Sequence, residues 1–135
     1  MALTKVTAAV LEPTAVTDNI SDGSISSAKL ANDAVSYDKL GAEFTTAAAL
    51  SASDVDFSSA QVFTKTLTAN DTLTFSNVST GMVKDLIITG NYTLTLPASV
   101  KVISGEYDGT VSNLIQIAST NGATEQWATI SQEAV

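Results

Sequence analysis

A few short clusters hold the side chains of this chain that could do chemistry. Glu106 and Asp108, in GEYDG, set two carboxyls at alternate positions. A glycan hydrolase uses such a pair as acid and nucleophile or base. Neither the required separation nor a raised pKa is written in these residues, and the segment reads as an acidic hairpin turn. Asp54 and Asp56, in SDVDFSS, have the alternate spacing that opens a calcium loop. The glycine and terminal glutamate of an EF-hand loop are missing, so the pair reads as solvated carboxylates at a domain entrance. SSAK (Ser26 to Lys29) spells a Ser/Lys pair without the buried lysine that would activate a nucleophile. Tyr37, Tyr92, Tyr107 and Trp127 could stack on a sugar. Trp127, in the alternating stretch QWATIS, reads instead as a core residue or part of a seam between subunits, and Tyr92 and Tyr107 are the other candidates for a seam or surface contact. The sequence therefore predicts no catalytic residue, no metal ligand and no cofactor.

Composition narrows the classes further. The chain has no Cys and no His, which removes disulfides, thiolate zinc sites, cysteine nucleophiles and the commonest general base. All six basic residues are Lys, so no bidentate guanidinium clamp exists. A net charge of −8 repels polyanions, and nucleic acid is an unlikely partner on electrostatic grounds alone. MALTKVTAAVLEP lacks the apolar core of a signal peptide, and no apolar run reaches the roughly 20 residues of a membrane span. The expectation is a protein made in a cytoplasm that contacts no membrane. With 15% charged residues, solubility must lean on Ser and Thr, which alternate with aliphatic residues as on half-exposed strands.

The elements that would position these groups fall into three stretches: 1–43, 44–56 and 57–135. The first says one phrase three times, AVTDNI, SISSAKL and AVSYDKL. Each copy opens on a β-branched residue (Val16, Ile25, Val35) and closes on an aliphatic one (Ile20, Leu30, Leu40). A unit of about ten residues cannot bury its own apolar groups. These six residues are thus expected to anchor a docking arm in pockets of a neighbour, aided by edge pairing. An unstructured low-complexity leader is the alternative. Ser27 to Ala31 and Tyr37 to Leu40 could each form one helical turn. Residues 44–56 read as a linker or short helix around the alanine run at 47–49.

From Phe57 on, alternation predicts about seven strands. Phe63, Lys65 and Leu67 share a face, as do Leu73 and Phe75. Val83 to Thr89, with Leu86-Ile87-Ile88 apolar on both faces, reads as a central strand. Val100 to Ser104, Ser112 to Ala118 and Gln126 to Ser131 follow. Spacings near ten residues with turn signals between them predict a mainly β fold, a small antiparallel β-sandwich of jelly-roll type. So small a core, with no disulfide or metal, is expected to oligomerise.

The phrase Ile/Val–Ser/Thr–x–x–Lys–Leu, preceded by Asp22-Gly23-Ser24-Ile25, and the opening MALTKVT resemble the N-terminal stretches of tailed-bacteriophage fibre proteins. GNYTLTLP, SGEYDGTVSNLIQI and WATIS are similar to small β domains of phage fibre and head-decoration proteins. The resemblance implies a non-enzymatic virion protein: a homotrimer held to tail or capsid subunits by its N-terminal region, with an outward-facing β domain. A host surface glycan is a candidate partner. At 135 residues, a short tail or head fibre fits better than a long receptor-reaching one. A capsid decoration or cement protein is the first alternative, and a small virion glycan hydrolase the second.

Overall fold

A computed structural model of the chain describes residue 30, residue 32 and residues 34–134. The chain divides into two units, Met1–Ser36 and Tyr37–Val135. The second unit opens with a 3-10 turn at Tyr37–Lys39 and a one-turn helix α1 at Ala42–Thr45, which buries none of its residues. The rest is strand.

Seven strands wind as three coils. The first coil carries β1 (Ala48–Ala49) and β2 (Asp54–Asp56). The second carries β3 (Val62–Thr66), β4 (Asp71–Thr72) and β5 (Thr74–Ser76), and the third β6 (Val83–Thr89) and β7 (Leu94–Thr95). Each strand pairs in parallel with its counterpart one coil away: β1 with β3, β3 with β6, β2 with β5, and β4 with β7. Val62 pairs with Asp85 and Asp71 with Leu94, so the second and third coils keep one offset along two different sheets. Side chains repeat it. Thr89 Oγ1 donates to Thr66 Oγ1 at 3.1 Å, and the Thr93 amide donates to Asn70 Oδ1 at 3.0 Å, each pair 23 residues apart.

Three strands complete the unit: β8 (Val100–Ser104), β9 (Asn113–Asn121) and β10 (Glu125–Gln132). β9 runs antiparallel to β6 and to β10, while β8 joins β10 in parallel. The large sheet has the order β1-β3-β6-β9-β10-β8. The fold is mainly β, and it is a β-solenoid with mixed sheets rather than the antiparallel sandwich its strand spacing predicts. Alternation and turn frequency are common to both architectures. What differs is the corner: here a turn sends the chain to a new sheet instead of back along the strand it left.

The core lies between the sheets. Val55, Phe57, Phe63, Leu67, Leu73, Leu86, Ile88, Ile115, Ile117 and Ala128 are buried, and Phe57 packs on Phe75 with ring centroids 5.1 Å apart. Burying each large side chain contributes about 1.5–3 kcal/mol. β6 is central, but only one face is covered: Leu86 and Ile88 are buried, whereas Ile87 is 40% exposed on the outer face. Of residues 44–56, parts fall in α1, β1 and β2. Gly90, at φ +111°, turns the chain out of β6 where an added Cβ would strike the Leu67 backbone.

Candidate functional site

Two inward positions on the coils carry lysines, and the fold treats them differently. Lys65, on the face of Phe63 and Leu67, donates to the Ala52 carbonyl at 2.7 Å and pairs with Asp71 at 3.0 Å. The Ser53 hydroxyl, then Lys65, hold the Asp71 carboxyl below its ordinary value. Lys84 shares the inward face of β6 with Leu86 and Ile88 and is buried. Its Nζ donates to the Ala60 carbonyl at 2.7 Å and to Gln61 Oε1 at 2.9 Å. Sequence reading passed over Lys84. The signal was there: in VKDLII the alternation that buries Leu86 and Ile88 buries Lys84 too.

The other accessible feature is the outer edge of the large sheet. β8 is an end strand, and Val102 and Ile103 on it are 45% and 58% exposed. Its only charged residue, Lys101, faces Trp127 in the β8–β10 register and lies 5.3 Å from the indole centroid. Glu125 gathers this cluster. It accepts from Lys101 Nζ, from Trp127 Nε1 at 2.9 Å and from Thr120 Oγ1 at 3.0 Å. Those bonds, Lys101 first, pull the Glu125 carboxyl down to about 2. An edge lysine usually discourages strand addition. Here its charge is answered within the subunit, and the edge leaves Val102 and Ile103 exposed.

The residues singled out from the sequence distribute as follows. Val16, Ile20 and Ile25 lie outside the described residues. Leu30 and Val35, in the first unit, and Leu40, in the second, are exposed. Tyr92 is exposed, and Trp127 is 39% exposed on the outer sheet face. Tyr107 is half-buried, packs against the core, and donates its hydroxyl to the Gly90 carbonyl at 2.7 Å. Since Val102 pairs with core-facing Ala128, and Lys101 with Trp127, Tyr107 and Trp127 stand on opposite faces of the sheet.

Asp54 accepts from Thr74 Oγ1 and Ser76 Oγ at 2.8 and 2.6 Å, and Asp56 from Ser58 and Asn77, so both carboxylates tie β2 to β5 and its following turn. Asn77 and Ser58 lower the Asp56 pKa. Among the described residues no group of three acidic, His or Cys side chains could hold a metal ion. GEYDG is not a hairpin turn. It belongs to the connection from β8 to β9, strands that β10 separates in the sheet. Asp108 Oδ1 accepts from the Thr110 amide and hydroxyl, which hold its carboxyl below the ordinary value. A glycosidic general acid needs the opposite shift.

The chain is thus defined as a mainly β protein built on a short β-solenoid with an apolar sheet edge. No protein-family model, curated protein or solved structure matches it.

Proposed function

We propose that this chain is a non-enzymatic structural protein of a tailed-bacteriophage particle, a short homotrimeric fibre. The repeats in residues 1–43 dock it to tail or capsid subunits, and the β-solenoid projects for adhesion. The observation that carries this reading is the edge strand β8. Val102 and Ile103 are exposed on it, and its one charge, Lys101, is neutralised by Glu125. Such an edge supports burial against another copy. The resemblance of the repeats and of GNYTLTLP to fibre proteins supports the rest.

Three coils at about 4.8 Å each advance on the order of 15 Å. That length suits a short appendage, and it also favours a second reading, a decoration protein lying on the capsid. Sedimentation of the purified protein tests the assembly: a mass near three times 13.9 kDa is expected, falling to one on Ile103→Lys. A monomer at tens of micromolar (about the working range of that assay) sinks the trimer. Electron microscopy of the parent particle separates fibre from decoration. Deletion should abolish adsorption for the fibre, and weaken the capsid without loss of adsorption for the decoration protein.

A further inference from the structure

Beside α1 and the start of β6 lies a groove of about 660 Å³. Phe44, Phe57, Met82 and Val83 give it a mainly apolar wall, and Lys84 and Glu43 also line it. The volume is that of a site for a small organic ligand. Lys84 is the unusual member. It is 5% exposed, yet among the described residues no carboxylate lies within 4.0 Å of its Nζ, whereas Lys65 and Lys101 each have one. An ammonium has three protons to donate. Two go to Ala60 and Gln61, both neutral acceptors, and the third has no acceptor among the described residues. Burial pushes the Lys84 pKa down, and the more distant carboxylates of Asp56 and Glu43 partly offset this.

A buried cation hydrogen-bonded only to neutral acceptors is costly, because the more distant carboxylates repay its desolvation only in part. An apolar residue would fill the same inward position without that cost. We propose that the groove over Lys84 binds a small amphiphilic monoanion, a carboxylate carried on an apolar body of medium-chain size. The carboxylate accepts the remaining Lys84 proton and neutralises the ammonium, while the chain lies along Phe44, Met82 and Val83. A single negative charge is specified because the one ammonium answers one, and a second would face Glu43 and Asp56 with no cation left to offset them. The position is on the described unit alone and does not depend on how the protein assembles.

Octanoate titrated into the ¹⁵N-labelled protein tests this. Saturable amide shifts centred on Ser58, Gln61, Gly81 and Met82 are expected, with a dissociation constant of about 1 mM or below. Octan-1-ol, which has the same chain without the charge, should bind at least about tenfold more weakly, and Lys84→Met should weaken octanoate by a similar factor. If Lys84→Met fails to fold, Val83→Glu at the exposed mouth replaces it and should weaken octanoate by a larger factor than octan-1-ol, because only octanoate also meets the added charge. Equal binding of octanoate and octan-1-ol, unchanged affinity in the variant that is used, or no saturable shifts with octanoate overturns the proposal.

Discussion

Asn113 holds the longest crossover of the fold, and its removal should be felt across the unit. It opens β9 and is fully buried. Its Nδ2 donates to the carbonyls of Asp108 at 2.7 Å, Val111 at 3.0 Å and Ile88 at 3.4 Å. Its Oδ1 accepts from the Asp108 amide at 2.9 Å. One side chain therefore closes the loop between β8 and β9 and ties it to β6. In Asn113→Ala the Asp108 carbonyl keeps a long bond from the Val111 amide at 3.4 Å, but the Asp108 amide and the Val111 carbonyl lose their partners. Two stranded polar groups at about 1–2 kcal/mol each cost roughly 2–4 kcal/mol. For a unit of about 100 residues this lowers the melting temperature by roughly 10–25 °C, read by circular dichroism at fixed protein concentration. Asn113→Asp keeps the acceptor for the Asp108 amide but turns a carboxylate toward carbonyl oxygens. Its folded pKa is then raised above the unfolded value, so its destabilisation grows as pH rises through that interval and relaxes in acid. A loss below about 1 kcal/mol in Asn113→Ala would refute the idea that this residue pins the crossover.

Three further outcomes are expected. In Thr66→Cys/Thr89→Cys, two side chains that touch across coils become a disulfide pair, so mild oxidation should remove both free thiols from each chain. Thiols that stay reactive would show that the coils are not stacked in this register. Glu125 is depressed to about 2 from an ordinary 4.5, so the contribution of its cluster is complete above about 4.5 and is lost as pH falls towards 2. Trp127 is the one tryptophan, and its fluorescence should titrate near that lower value and move upward in Lys101→Met; a midpoint unmoved by Lys101→Met contradicts the cluster. Gln126 is buried and its Oε1 has no partner among the described residues, while the Gly122 carbonyl to which its Nε2 donates also accepts from Ser119. Gln126→Leu should consequently be neutral or stabilising by up to about 1 kcal/mol in chemical denaturation, and a clear loss would mean that the oxygen is satisfied.

Strand positions were legible because burial has a period of two whatever the partner strand. Val83–Thr89 and Val100–Ser104 are strands over the bounds that alternation suggests, and Phe63, Leu67 and Leu73 point inward as their spacing requires. Partner choice was not legible. A strand that turns back and a strand that turns a corner use the same residues, such as Gly90-Asn91 and Asn77 to Gly81. The offset between coils is written only in single contacts, Thr66 with Thr89 and Asn70 with Thr93, which do not form a repeated motif. Ile87 misleads for a related reason, since an apolar run in a central strand suggests two covered faces, while a solenoid leaves the outer one to solvent.

The lysines show how a single pattern can mean different things once the coils are closed. Lys65 and Lys84 both fall at core-facing positions, and alternation treats them alike. The corner after β3 brings Asp71, from the next strand of the same coil, to Lys65, and the stacking of the third coil on the second leaves Lys84 facing a carbonyl, an amide and an open groove. Inward charges are also a device that keeps solenoid and sheet ends from adding strands. Lys65 and Lys84, however, lie on the interior strands β3 and β6, where no edge needs such protection. The missing carboxylate at Lys84 is therefore not explained by protection of the fold, and it is this difference between two otherwise equivalent residues that gives the groove its chemical preference.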